Sequence, residues 1–294
     1  METTVTDRFE VVVEGYQFIE APRVSPEGDI WFSDLTGTGV HRKRAGHAAE
    51  TMLPGRQWVG GIVFDESGMV LCSGRDGIAA LDPATGKTRA ILPEIEGSPV
   101  IAVNDMEADG WGGLFAGTID FASIFETGGA PGPGTLFHMS AAGEVTVLRR
   151  DVIASNGFAL SPCGKWLYHS ETLRGIWRYP LDGAGRPGEG EVLIEMDDSD
   201  GMVADVEGNL WVAGWRTGKL VQFSAQGDLL RSLSFPYPHI VSLDFGADDP
   251  SALYIATGGN AENRGKGAIL RMPVEIPGLA GARTRLDLLR SLSI

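Results

Sequence analysis

Histidine and cysteine are scarce in this chain, with 5 and 2 among 294 residues. Cys72 and Cys163 do not form a CxxC pair, which excludes a disulfide scaffold. No apolar run approaches the roughly 20 residues that cross a bilayer. Met1–Glu10 lacks the apolar stretch of a secretory signal. The chain is therefore expected to be reduced and cytoplasmic, with no membrane partner. Positive charge is also short: 24 Lys and Arg against 39 Asp and Glu leave a net charge of −15. Such a surface repels a phosphate backbone, so nucleic acid is not expected as a partner. There is no GxSxG elbow, and no serine is marked by its context, so a Ser-His-Asp hydrolase has no support.

Glycine is abundant, at 41 residues, and proline reaches 16. Together they point to many tight turns and many short strands. The turns recur with a pattern. EAPRVSPEGDIWFSDL starts at Glu20, GGIVFDESGMVLCSG at Gly60 and NDMEADGWGGLFAGT at Asn104. NGFALSPCGKWLYHSE starts at Asn156 and DGMVADVEGNLWVAGW at Asp200. VSLDFGADDPSALYIAT, from Val241, fits with about two residues inserted in its turn.

Eight residues after each of the first five starts stands a glycine: Gly28, Gly68, Gly112, Gly164 and Gly208. A hairpin turn that needs a positive φ asks for glycine there. Three positions on come Trp31, Leu71, Phe115, Leu167 and Trp211, a large apolar residue in every case. A second strand pair follows each hairpin, as in IAALDPATG from Ile78 or LVQFSAQGDLL from Leu220. Four strands in roughly 40 to 50 residues make a propeller blade. The expected fold is all-β: one six-bladed β-propeller domain over residues 1–294, with four-stranded antiparallel blades. A strand around Phe9–Val13 is expected to meet one around Arg283–Leu289 and close the ring.

Equivalent positions on the innermost strands lie on a ring around the axis. The repeat starts are Glu20, Gly60, Asn104, Asn156, Asp200 and Val241. Four of these offer a carboxylate or carboxamide oxygen. Turn chemistry alone accounts for Asn156-Gly157 and Asp200-Gly201. It does not account for Glu20, or for the shared register. Oxygen donors without His or Cys suit a hard cation: Ca²⁺ first, with Mg²⁺ or Mn²⁺ next, while Zn²⁺ is not what these donors select. Asp105-Met106-Glu107-Ala108-Asp109-Gly110 resembles an EF-hand start, but Ala116 stands at its twelfth position where a glutamate is needed.

Mouth-lining candidates are Trp58, Phe121, Trp215 and His239, with Asp120 as a polar contact; packing between blades is the plain alternative for the aromatics. His41 and His47, in a basic turn-like stretch, are expected to be solvated. His138 is placed on an outer strand, and His169 either in the core or facing the channel.

Glu20-Ala21-Pro22, Asn104-Asp105, Ser155-Asn156-Gly157 with Ser161-Pro162-Cys163-Gly164, Asp200-Gly201-Met202 running into GNLWVAGW, and Gly265–Leu270 stand in order. In this the chain resembles the SMP-30/gluconolactonase/LRE family of six-bladed propellers over nearly its whole length. The resemblance implies one divalent metal held by Glu20, Asn156 and Asp200. Asn104 would lie beside it, touching substrate or a bound water. It implies a hydrolase opening a lactone, with Asp200 also acting as general base. One departure stands out: many sugar lactonases have an arginine where this chain has Ala102, and a glycine at Met106. The substrate expected is therefore a lactone or ester less polar than a sugar lactone. A lyase or isomerase using the same ion, or a calcium-binding propeller without catalysis, fits the same residues.

Overall fold

The structure is a computed structural model, and it describes residues 2–5, 8–37, 39–259, 265–279 and 281–290. Six small sheets stand in a ring, the six-bladed β-propeller expected from the repeat. The innermost strands of blades 1 to 6 are Ile19–Val24, Ile62–Phe64, Ala102–Ala108, Ser155–Leu160, Ser199–Ala204 and His239–Phe245. Each pairs antiparallel with the strand that follows it. The glycines of the connecting hairpins have the positive φ that the turn demands: 81°, 86°, 100°, 67° and 85° for Gly28, Gly68, Gly112, Gly164 and Gly208.

Burial follows position within a blade. Second strands are covered by the neighbouring blades, so Ile30–Asp34, Leu210–Gly214 and Ala252–Gly258 are buried throughout. Outer strands are largely exposed, as in Thr88–Leu92. The core is accordingly divided. Six apolar clusters each fill one blade-to-blade interface. Trp211, Leu243, Phe245 and Leu270 join blades 5 and 6, while Ile19, Phe32, Tyr254 and Ile269 join blades 6 and 1. The interface that closes the ring is thus packed like the others. Each large apolar side chain buried this way contributes about 1.5–3 kcal/mol.

Three features depart from the sequence reading. The closing partner of the early strand is Gly267–Pro273, paired with Glu10–Tyr16 to complete blade 6. Arg283–Leu289 is not a strand: Thr284 makes a lone bridge to Asp65, and Asp287–Arg290 is a helical turn. Two sheets have a fifth strand. Glu2–Thr4 adds in parallel to Leu229–Ser234 of blade 5, and Gly74–Arg75 adds to blade 3. His41 is buried rather than solvated. It lies on the strand Gly39–Lys43 and stacks on Phe32 at 5.2 Å, and burial lowers its pKa.

No helix among the described residues is long and apolar enough to cross a membrane.

Candidate functional site

Five of the six innermost strands shift register where the repeat starts, at Glu20/Arg23, Val103/Met106, Ser155/Phe158, Ser199/Met202 and Ile240/Ser242. A bulge re-aims the side chain it carries. Blade 2 reaches the same end differently, with the N–H groups of Gly60 and Gly61 donating to Ser73 Oγ at 3.2 and 2.8 Å. Glu20, Asn104, Asn156 and Asp200 therefore stand at equivalent places on four blades. The gap at Gly60 is filled from next door: a Cβ there would collide with Oδ1 of Asn104.

Glu20, Asn104 and Asp200 are buried and Asn156 partly so. Asn104 Nδ2 donates to Asn156 Oδ1 at 2.6 Å and to the Ser155 carbonyl at 2.7 Å. The carboxyls of Glu20 and Asp200 both titrate well above the usual range. For Glu20 the cause is burial, then repulsion from Asp200 and Asp105; for Asp200 it is burial, then Asp105 and Asp198. Among the described residues, the charged groups that act most strongly on the pair are carboxylates. Burial raises Asp105 to about 7, although Arg23 opposes the shift.

Among the described residues no three His, Cys, Asp or Glu side chains converge to hold a metal by themselves. The donor set is instead two carboxylates with carboxamide oxygens beside them. A buried anionic pair without a counter-charge is costly, and a bound cation relieves that cost. The residues present thus fit a hard divalent ion, with Glu20 and Asp200 supplying charge and Asn156 a neutral oxygen.

Two further tiers flank the ring. Two residues before the repeat starts stand Phe18, Trp58, Ala102, Ala154, Asp198 and His239. Trp58, Ala102, Ala154, Leu35, Ile119 and Phe121 form one apolar cluster, with Phe18 packed against it. Trp58 lies 6.0 Å from Phe121, and Phe121 lies 5.3 Å from Phe125. Opposite them Trp215 stacks on His239 at 5.7 Å, and Phe18 lies 6.0 Å from His239. Arg75 covers Trp58 at 4.4 Å and pairs with Glu126 at 2.6 Å. Asp120 is drawn into its own loop, where it accepts from Ser123 N and Oγ and from Gly132 N.

Three residues after the starts stand Arg23, Val63, Glu107, Ala159, Val203 and Asp244, which line two small cavities of about 100 and 50 Å³. Arg23 pairs with Glu107 at 2.8 Å and Asp244 at 3.7 Å. Leu279, Gly281 and Ala282 of the C-terminal tail line the same cavities, so the tail lies against this end of the axis.

His169 is placed in the core: Nε2 hydrogen-bonds Ser155 Oγ at 2.8 Å, and the ring stacks on Phe158. His138 lies on the third strand of blade 3, beside Asp109 at 2.6 Å. Sequence reasoning passed over Asp105 and the Arg23, Glu107, Asp244 group. Their signal was present, since all three of the latter stand three places after a repeat start.

The raised carboxyl pKa values make stability depend on pH. Glu20, Asp105, Asp200 and Asp244 hold protons more tightly folded than unfolded. Their protonation favours the folded state fully below the ordinary carboxylate pKa, and the benefit is lost as pH rises through about 7 for Asp105 and Asp244. With chelator present, Tm is expected to fall by about 5–10 °C between pH 5 and pH 8. Added Ca²⁺ should restore most of that loss at pH 8 and little at pH 5. Differential scanning fluorimetry measures it, and a Tm that rises over this range contradicts the reading.

Residues 18–259 match the SMP-30/Gluconolactonase/LRE-like region. Among curated proteins, the 6-deoxy-6-sulfogluconolactonase of Pseudomonas putida is 28% identical, over 89% of this chain and 95% of its own. Pentonolactonase XacC of Haloferax volcanii is 31% identical over 63% of this chain and 62% of its own. Among solved structures, the calcium-binding protein regucalcin of Agrobacterium tumefaciens superposes with a TM-score of 0.82 at 23% identity, covering 97% of this chain and 99% of that one.

Proposed function

The chain belongs to the SMP-30/gluconolactonase/LRE-like family, and from this we propose that it is a metal-dependent lactonase acting at the ring of Glu20, Asn104, Asn156 and Asp200. The observation that carries the reading is the buried pair Glu20 and Asp200, which repel each other and have no cationic partner among the described residues, beside two carboxamides. The relatives named as lactonases support the reaction class.

Glu20, Asn156 and Asp200 would hold one divalent ion, Ca²⁺ by donor type. When bound, the ion supplies Lewis-acid stabilisation of the negative charge that builds on the lactone carbonyl oxygen.

The chain's own residues do the rest. Asp200 takes a proton from the water that attacks the carbonyl carbon, acting as general base from its place on the ring. The ester C–O bond then breaks. The ring oxygen leaves as an alcohol with the proton that Asp200 returns, and the product is a hydroxy acid. Asn104 fixes Asn156 through its amide N–H, and its carbonyl oxygen, lying over Gly60, would orient water or substrate. Trp58, Phe121, Trp215 and His239 give the mouth flat apolar walls. With Ala102 inside the apolar cluster, these walls favour an apolar or aromatic lactone over a free sugar lactone.

A panel of aliphatic, aromatic and sugar lactones, assayed with Ca²⁺ and after exhaustive chelation, tests this. Hydrolysis is expected with the metal, highest on the apolar lactones, and at least about 100-fold lower without it. Undiminished activity after chelation removes the metal from the mechanism. Rearrangement without uptake of water makes the enzyme an isomerase or lyase instead.

A further inference from the structure

We infer that Thr172 is a positioning residue, whose hydroxyl decides which face of the Asn156 carboxamide is turned toward the cation site. The inference rests on the reading above, that Asn156 and Asp200 share one ion.

Thr172 is buried in the short turn between the second and third strands of blade 4. Backbone bonds pin that turn on both sides: Thr172 N donates to the Ala154 carbonyl at 3.1 Å and Leu173 N to the Asp197 carbonyl at 3.0 Å. Leu173 takes a positive φ of 77° there, a conformation that costs a branched side chain energy and is kept only where the surroundings impose it. The hydroxyl is therefore fixed in place by the main chain.

A threonine hydroxyl has one hydrogen to give. Thr172 Oγ1 gives it to the carbonyl of Ser199 at 2.6 Å, the residue that precedes Asp200. Toward Asn156 it can then only accept, and Asn156 Nδ2 donates to it at 2.6 Å. The amide nitrogen of Asn156 is thereby held on the Thr172 side and Oδ1 on the opposite side, where Asn104 Nδ2 donates to it. The second hydrogen of Asn104 Nδ2 goes to the Ser155 carbonyl, which turns Asn104 Oδ1 away as well. Donors and acceptors run in one sense along the chain, from Asn104 through Asn156 and Thr172 to Ser199. Without the hydroxyl, the Asn104 bond alone opposes a turnover of the Asn156 amide that would present N–H groups to a cation. One side chain thus sets a ligand on blade 4 and the backbone leading into a ligand on blade 5.

Calorimetric titration with Ca²⁺ alone tests it on three variants. Thr172→Val keeps the shape and removes the hydroxyl, and its Kd is expected to rise about tenfold or more. Thr172→Ser keeps the hydroxyl and should stay within about threefold of the parent. In an Asn156→Asp background the two oxygens are equivalent and no amide face has to be chosen. There Thr172→Val should cost about threefold at most, a non-additivity that a merely structural role does not produce. An unchanged Kd in Thr172→Val, or an equal loss in both backgrounds, overturns the inference while leaving the metal site intact. Absence of saturable Ca²⁺ binding in the parent protein overturns the metal reading, and this inference with it. If Thr172→Val does not fold, Thr172→Ala in the same cycle carries the same expectations.

Discussion

Asp200→Asn is expected to lower kcat/KM for lactone opening by about 10³-fold or more, and at the same time to raise the Tm of the metal-free protein by several degrees. The two effects have one origin. Asp200 is a buried carboxylate crowded by Asp105 and Asp198, and it in turn crowds Glu20. Replacing it by the isosteric amide removes one charge from a group of repelling charges, so the empty fold relaxes. The same change removes the proton acceptor, worth about 10²–10⁴ on its own, and half of the charge that holds the ion. Loss of activity together with gain of stability separates a chemical role from misfolding, which would lower both. Steady-state kinetics on the best lactone of the panel, with a melting curve in chelator, reads both numbers. A variant that keeps a tenth of the parent activity would show that another group takes the proton.

Arg23→Met should produce the largest loss of stability of any single substitution on the axis. Arg23 Nε donates to the Ile62 carbonyl at 2.9 Å, and the guanidinium pairs with Glu107 and Asp244. Its presence opposes the upward shift that burial imposes on Asp105, Glu107 and Asp244. Removing it takes the counter-charge from the buried Asp105 and the partly buried Glu107 and Asp244, at a cost of about 3 kcal/mol or more. For a domain of this size that is about 10 °C in Tm. The cost should be largest at pH 8 and much smaller at pH 5, because the three carboxyls escape the penalty by taking up protons. Equal destabilisation at both pH values would assign the effect to lost packing of the aliphatic stem rather than to lost charge.

The blades were legible because each repeat carries its own turn glycine and its own large apolar residue, as at Gly208 and Trp211. The ring positions were legible for the same reason, since equivalent places in a repeat become equivalent places around an axis. Closure was misplaced because the last repeat is split between the two ends of the chain. Gly267–Pro273 reads as an ordinary strand, and nothing local marks Glu10–Tyr16 as its partner. His41 was misread because a stretch with Arg42, Lys43 and Arg44 reads as a basic turn, while its burial comes from Phe32 on the paired strand and Tyr16 of blade 6. Thr172 was invisible because its role depends on a carbonyl and an amide from two other strands. The Arg23, Glu107 and Asp244 group was present in the alignment and needed only the register shift to be recognised. Without a bulge, the place two residues after the start would face the axis; with it, the third does.

The N-terminal segment is shared between two blades, with Glu2–Thr4 on the edge of blade 5 and Glu10–Tyr16 on the edge of blade 6. A ribosome makes these strands before blades 1 to 4, and their partners Leu229–Ser234 and Gly267–Pro273 after them. While blades 1 to 4 are being made the earlier strands have nothing to pair with, and those blades must form beside an unmatched edge. The ring can lock only once Gly267–Pro273 has been made, so its closure waits on the order of the chain and not on the stability of any blade.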